Sequence, residues 1–537
     1  VLVMNGEIYN HAGLRRELES AGEVLRTGGD AEVLAVLLAR WGVAGLAKVE
    51  GSYAFAFLGG PRGPLLLGRD PLGVRPLVGA LRPQAIVFAS TLDALLATGA
   101  IRPRVDAHAI ADVLRDGVVS GGRTALRGIR RVRPGQVLAV ETDLSVGSRA
   151  IPPPGDDEDD EPRVLDALRH AVHDRLPPRR PAGVFLSGGI DSALVAALAR
   201  ERGDVTAYTL TFPGRGAIDE ARRAQRTARR LGLVHVEVPC PRDPTMWVHR
   251  TVEAFDEPFA DASAVCTWGL ALAAGRHVRV ALSGTGGDEV FGGYRRYWLL
   301  GTGPWLRHVP DFLREPVSAV LERSLPSGAR VLRASGDPEG LYRGLLRLQP
   351  LGEACDLFGP RLAAAGELAR DPGARTAFEA MADDLARYLP DDLLVKEDRA
   401  LMAHGIEGRH PFLDARVRRA ARAVEVRGSV GRGRQKQLLR AFVRDVIDPD
   451  LARSPKRGFA FPVDDLYRGP LRPLVEDLVL SRTFRERGLV TTAGALRTLR
   501  EHVRGGRNLG ATLHAIVMVE LWARRVLDRA PRTSPHR

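Results

Sequence analysis

Two rhythms of apolar residues divide this chain. Up to about residue 150 the apolar runs are short and punctuated by glycine and proline. GSYAFAFL (51–58) and GPLLLGRD (63–70) read as strands around a Pro-Gly turn, and PQAIVFAS (83–90) as a third. From Ala31 to Gly42 the apolar positions recur with the helical period, and Gly42 supplies the stop. From about residue 163 the rhythm changes. A helix at 163–176 leads to the apolar run GVFL (183–186), a glycine-rich turn and the helix DSALVAALARERG (191–203). The strand VTAYTLTF, the helix ARRAQRTARRLG and the strand VHVEVPC follow. Strands alternating with helices predict a parallel sheet covered on both faces. Beyond about residue 300 the pattern is mostly helical, with neither an internal repeat nor a coiled coil.

Between the two regimes lies IPPPGDDEDDEP, residues 151–162. Its prolines stiffen it and its acids keep it solvated, so it reads as a linker. A chain of 537 residues exceeds what one core usually organises. The fold class expected is therefore α/β and α+β in two domains, over 1–150 and 163–537. The first is antiparallel; the second is a parallel α/β domain with a helical C-terminal part.

Composition changes this picture little. The chain is 45% apolar and carries a formal charge of +13. Its basic residues are scattered instead of gathered into a stripe, which argues against a nucleic-acid partner. Arginine is the default cation, and only four lysines occur: Lys48, Lys396, Lys436 and Lys456. A lysine in such a chain marks a place that calls for a compact ammonium. The three cysteines, Cys240, Cys266 and Cys355, fit neither a disulfide frame nor a zinc site. No run of eighteen apolar residues occurs and the start is no signal peptide, so a cytoplasmic protein without a membrane partner is expected.

The first candidate chemistry is Ser187-Gly188-Gly189-Ile190-Asp191-Ser192, between a predicted strand and a predicted helix. Successive N–H groups there form an anion nest and the helix terminus adds its dipole. Two glycines allow close approach of phosphate oxygens, Ser187 and Ser192 offer hydroxyls, and Asp191 offers a carboxylate for magnesium. No Gly-Lys-Ser/Thr follows, so this is not a Walker loop. The competing reading is an ordinary strand-to-helix turn. A second glycine-rich junction, Ser283-Gly284-Thr285-Gly286-Gly287-Asp288-Glu289, follows the apolar run VRVALSG. Asp191 and Asp288 could hold one Mg²⁺ from opposite sides.

The first loop resembles the SGGxDS pyrophosphate loop of ATP pyrophosphatases. The pair SGGIDS and SGTGGDEVFGGY, in that order, is similar to the synthetase domain of glutamine-hydrolysing asparagine synthetases. Asp256–Asp261 (DEPFAD), Leu389–Lys396 (LPDDLLVK), Glu407–Asp414 (EGRHPFLD), Gly433–Lys436 and Pro455–Phe459 resemble further motifs of that family, the second and third of them helical ones. The resemblance implies that Leu186 and Leu210 touch adenine or ribose. Ser283 and Gly284 would lie near the α-phosphate, and Lys436 would meet pyrophosphate. Lys456, Asp288 and Glu289 are the implied catalytic residues. Lys456 is the cation expected to stabilise charge as an amine attacks an acyl-adenylate. One departure stands out: many family members carry an acid where this chain has Thr285.

Towards the start, Asn5-Gly6-Glu7-Ile8-Tyr9-Asn10 is similar to the NGEIYN segment of N-terminal-nucleophile glutaminases. Gly28–Glu32 and Arg69–Leu77 resemble two more of their segments. By that resemblance Asn5 and Gly6 supply an oxyanion hole, while Glu7 and Asp30 grip glutamine. The family's nucleophile is an N-terminal cysteine, yet no cysteine precedes Cys240 and VLVMNGEIYNH opens in what reads as a buried strand. As written, the chain is expected not to hydrolyse glutamine. Truncation, a degenerate gene or use of free ammonia would each explain this, and truncation is the expectation, since a chain starting mid-strand leaves sheet partners unsatisfied.

The resemblance thus implies an incomplete type 2 glutamine amidotransferase domain over 1–150, a linker over 151–162 and an asparagine synthetase domain over 163–537. ATP and Mg²⁺ are the implied cofactors. Aspartate, with glutamine or ammonia, is the implied substrate set, and a homodimer is one permitted assembly. Two rivals remain: an amide- or lactam-forming synthetase of specialised metabolism, such as a β-lactam synthetase or lasso peptide cyclase, and a non-catalytic nucleotide-binding remnant.

Overall fold

A computed structural model describes residues 1–61, 63–153, 163–178, 181–213, 220–306, 309–324, 332, 338–348, 355–364, 373–425, 436–454, 461–505 and 507–528. Its strands are β1 (Leu2–Ile8), β2 (Gly51–Leu58), β3 (Leu65–Arg69), β4 (Val78–Arg82), β5 (Ala85–Ala89), β6 (Arg130–Arg131), β7 (Gln136–Val140), β8 (Val146–Ala150), β9 (Ala182–Phe185), β10 (Val205–Thr211), β11 (Val234–Pro239), β12 (Val280–Leu282) and β13 (Glu407–Arg409).

The first eight strands form two antiparallel sheets, ordered β1-β2-β3-β7-β8 and β5-β4-β6. Alternation along β2 sorts its side chains onto two faces. Tyr53, Phe55 and Phe57 pack with the helix Asp30–Trp41, whereas Ala54 and Ala56 pack with Leu67, Leu77 and Val132 and against Ile86 and Phe88 of the smaller sheet. The antiparallel first half is thus as expected. The expected helix ends as predicted, since Gly42 takes φ 60° at its C-terminus. One expectation is corrected: β1 is an edge strand, not a buried one. Ile8 is buried, Asn5 and Glu7 are half-buried, and Val3 is exposed.

The last five strands form one parallel sheet ordered β11-β10-β9-β12-β13. Along β10, Val205 and Ala207 belong to one apolar cluster and Tyr208 and Leu210 to another, so both faces are covered. The second cluster is continuous with residues of the first 150, among them Val78, Leu92 and Ile110, and with the long buried helix Gly510–Val526. Helices dominate beyond residue 300, including a π-helical stretch over Asp384–Leu393. Glu407–Asp414, read as a helical motif, is instead the edge strand β13 followed by a single 3₁₀ turn, Pro411–Leu413. Glu407, Gly408 and Arg409 pair with Val280, Ala281 and Leu282, and that pairing holds the segment extended.

Candidate functional site

Strand order decides where a crevice can open. From β9 the chain moves outward to β10 and β11, then returns to place β12 on the other side of β9. At such a reversal the connections leave in opposite directions and the carboxyl ends of the two central strands are left uncovered. Ser187–Ser192 and Ser283–Glu289 follow β9 and β12, so both glycine-rich segments meet at that place.

They meet closely. A Cβ on Gly284 would lie 2.8 Å from the Ser192 nitrogen and 2.9 Å from the Asp191 Cβ. Only glycine admits this approach. Ile190–Arg200 is a helix, which puts Asp191 in its first turn beside the terminal N–H groups. Ser187 and Ser192 bond each other, hydroxyl to hydroxyl at 3.0 Å, and the Ser187 N–H donates to the Ser192 hydroxyl at 3.1 Å. Ser187, Gly188 and Gly189 therefore form a braced turn ahead of the helix. Leu186 and Leu210 are both buried, but in separate clusters on the two faces of the sheet. The structure does not bring their side chains together.

Charge concentrates at the junction. The Lys436 ammonium stands 2.6 Å from an Asp191 oxygen and 2.6 Å from an Asp288 oxygen. The two aspartates raise the lysine pKa against the opposing effect of burial, which keeps it charged. Lys436 itself has φ 54°, a left-handed backbone costly for a side chain with a Cβ, immediately before the helix Gln437–Val446. A Cβ on Gly293 would overlap both Asp288 Oδ1 and Lys436 Cε. The cradle is shaped around that ion cluster. Two carboxylates sharing one cation is an arrangement that suits Mg²⁺, which takes one or two carboxylates and completes its shell with water and phosphate oxygens. Among the described residues no three His, Cys, Asp or Glu side chains gather into a protein cage.

Glu289 is buried, and the Tyr294 hydroxyl donates to it at 2.6 Å. Burial and then the Asp288 charge push its pKa up to about 7. Lys456 lies outside the described residues.

Several groups that sequence reading missed stand beside these loops. Glu397 accepts hydrogen bonds from Ser283, at 2.8 Å, and from Thr285. Lys396 binds Asp261 at 2.7 Å and Ser263 at 2.9 Å. The Lys396 charge and the Ser263 donors overcome burial and hold Asp261 down at about 2, while burial and Asp261 push Asp392 well up. The DEPFAD and LPDDLLVK motifs were recognised separately; their pairing was the available signal.

The predicted glutamine residues also converge. Asp30 starts its helix and accepts from the Ile8 N–H at 3.0 Å, tying it to the strand that carries Asn5, Gly6 and Glu7. Gly6 has φ 131°, and a Cβ there would lie 1.9 Å from the Ser52 carbonyl. Asn5 donates to Ser90 at 3.3 Å. Glu7 pairs with Arg409 on β13, across to the parallel sheet, and Arg409 also binds the Arg175 carbonyl at 2.8 Å. Arg75 adds a buried pair to Asp398 at 2.9 Å. Arg69, Asp256, Asp391 and Arg399 line a crevice between the two halves.

Comparison with known proteins gives independent matches. The asparagine synthase family profile matches residues 163–524, and that of the glutamine amidotransferase domain matches residues 1–148. Putative asparagine synthetases [glutamine-hydrolyzing] of Mycobacterium bovis and Mycobacterium tuberculosis are 30% identical, over 97% of this chain and 84% of theirs. Asparagine synthetase [glutamine-hydrolyzing] 1 of Bacillus subtilis is 28% identical over 89% of this chain and 78% of its own.

Proposed function

Because the chain belongs to the asparagine synthase family, we propose that it converts aspartate to asparagine through a β-aspartyl-AMP intermediate, releasing AMP and pyrophosphate. By its family it is an amide-forming ligase that uses ATP and carries a glutamine amidotransferase domain. The nitrogen would come from glutamine through that domain or from free ammonia. In the glutamine-dependent reaction ammonia would pass internally from that domain to the synthetase site.

The observation that carries this reading is the meeting of two glycine-rich turns at the β9–β12 reversal, with Asp191 and Asp288 around one cation. ATP supplies the adenylyl group that activates the carboxylate. Gly188, Gly189 and the helix terminus behind them offer N–H groups to the departing pyrophosphate. Asp191 and Asp288 would hold Mg²⁺, which would neutralise phosphate charge there. Lys436, already between these carboxylates, would turn to the pyrophosphate. Ser283 and Gly284 would lie near the α-phosphate, and Lys456 would meet the charge that develops as the nitrogen attacks. Glu7 and Asp30, with Asn5 and Gly6, are the glutamine-binding groups of the other half.

Thr285, bound to Glu397, favours a second reading, in which the acceptor is a precursor in specialised metabolism and the product an amide or lactam. One experiment separates the two. Pyrophosphate release by the purified chain is measured with ATP and magnesium, with aspartate, ammonium, both or neither. Release that needs both, with asparagine formed, supports the first reading. Absence of aspartate dependence sinks it.

A further inference from the structure

Four arginines gather in the first half of the molecule around a cavity of about 610 Å³. Arg82 ends β4, Arg102 and Arg104 follow the helix Leu92–Ala97, and Arg127 lies in the turn before β6. Among the described residues no carboxylate lines this cavity, and none of the four makes an ion pair. The acids that flank residues 99–104 are committed elsewhere. Asp93 pairs with Arg525, and Asp106 caps the helix Ala107–Asp116 by accepting from the His108 and Ala109 N–H groups.

The backbone that carries these arginines is braced. The Arg127 N–H donates to the Arg104 carbonyl at 2.7 Å, and Val105 and Leu126 form a bridge beside it. Arg82 is paired with Ala85 across the β4–β5 hairpin. Ala80 and Ile101 are buried and give the cavity an apolar part of its wall. Gly99 and Gly128 take left-handed backbones, and nothing stands within 4 Å of where a Cβ on either would lie, so space at these turns is open. Like charges on a fixed frame repel one another. A guanidinium that no carboxylate neutralises offers its fork of N–H donors to an incoming anion. Four such charges exceed what one carboxylate or one phosphate can balance, and the volume is that of a small-molecule site.

We propose that this cavity binds a small ligand through a diphosphate group, two adjacent phosphates meeting the guanidiniums of Arg82, Arg102, Arg104 and Arg127. It shares no residue with the two glycine-rich turns or with the crevice between the halves. It is therefore a second anion site, and it stands whether or not the chain is a ligase. Diphosphates of two sources fit: free pyrophosphate, and a nucleoside diphosphate whose base would lie on Ala80 and Ile101.

Amide hydrogen exchange on the full chain tests this, because it reads the two anion sites separately. Inorganic pyrophosphate and ADP are titrated in turn. Each is expected to slow exchange at residues 99–102 and 127–129, with a midpoint that weakens as salt rises. Arg102→Gln is expected to raise that midpoint by about tenfold, and Arg102→Gln with Arg104→Gln by about 100-fold, as one and then two charge-assisted contacts are lost. Any protection at 187–192 should stay as in the wild type. Both side chains are exposed, so the fold should survive, and a thermal melt checks it. Tighter binding of ADP would identify a nucleotide as the source, and equal binding free pyrophosphate; either result supports the site. Absence of protection at 99–102 and 127–129 with both probes would overturn it. So would a wild-type midpoint in the double variant, or equal protection by polyglutamate, which would reduce the cavity to unspecific charge. An oligo(dT) strand that binds there more tightly than either diphosphate would also overturn it, in favour of a nucleic acid.

Discussion

The two halves of the molecule assemble their polar groups by different means. Around residues 5–30 the groups lie within a strand and at a helix start, and most are already bonded inside the protein. Asp30 holds the Ile8 N–H, and Glu7 pairs with Arg409. Around the β9–β12 reversal the groups lie in turns beyond strand ends, and like charges are brought together. Asp191 and Asp288 converge on one ammonium, and Asp261 and Asp392 share another neighbour, Lys396. A strand interior fixes geometry by its ladder, so polar groups there must fit the pairing. A turn at a topological reversal has no ladder to satisfy, and it can gather charge that only a cation or a ligand balances.

Substitutions can break or sharpen this contrast. The largest effect is expected on amide formation. Asp191→Ala and Lys456→Ala should each lower amide formation by roughly 10³-fold or more while leaving the fold intact. Pyrophosphate and asparagine assays with a thermal melt check this, and wild-type turnover in either variant would remove that residue from the site. Next comes Lys396→Met, which leaves Asp261 and Asp392 without their ammonium. Breaking a buried pair in this way costs about 3–5 kcal/mol, read as a fall in urea-unfolding free energy. Loss of less than about 1 kcal/mol would mean that the cluster is solvated, as exposed pairs are.

Across the interface, Arg409→Ala removes the partner of Glu7 and a bond to the Arg175 carbonyl. About 2 kcal/mol of local stability should go with them. Amide hydrogen exchange at residues 5–9 should then quicken while exchange at 187–192 stays unchanged. Faster exchange at both places would show that the halves respond as one unit.

A last expectation is a slope in pH. Glu289 has a native pKa of about 7 against an ordinary 4.5, with burial as the chief cause. Below 4.5 the group is protonated in both folded and unfolded chains and costs nothing. Between those values the unfolded chain loses its proton first, so folding stability falls as pH rises, and the loss is complete above about 7. Glu289→Gln should remove this slope from urea midpoints measured over that range. An unchanged slope would assign it to other groups.

Local reading recovered the elements whose cause is local. The helix ending at Gly42 and strands β2, β3, β5, β9, β10 and β11 follow from periodicity and stop signals within a few residues. The two glycine-rich turns were legible for the same reason, because a strand, glycines and a helix are adjacent in the chain. β13 was not legible, since its extended form comes from pairing with β12, more than a hundred residues earlier. β1 was misjudged because an apolar run does not tell whether a strand lies inside its sheet or at its edge.

The sequence by itself determined the order of elements, the two turns and the residue types at their tips. Tertiary structure alone decided which of those residues meet. Asp191, Asp288 and Lys436 come together because strand order reverses beside β9. Thr285, conspicuous in sequence for lacking a carboxylate, proves to hold one from residue 397. Contacts across that many residues depend on how strands and helices pack, and packing answers to the whole apolar pattern, not to any one segment.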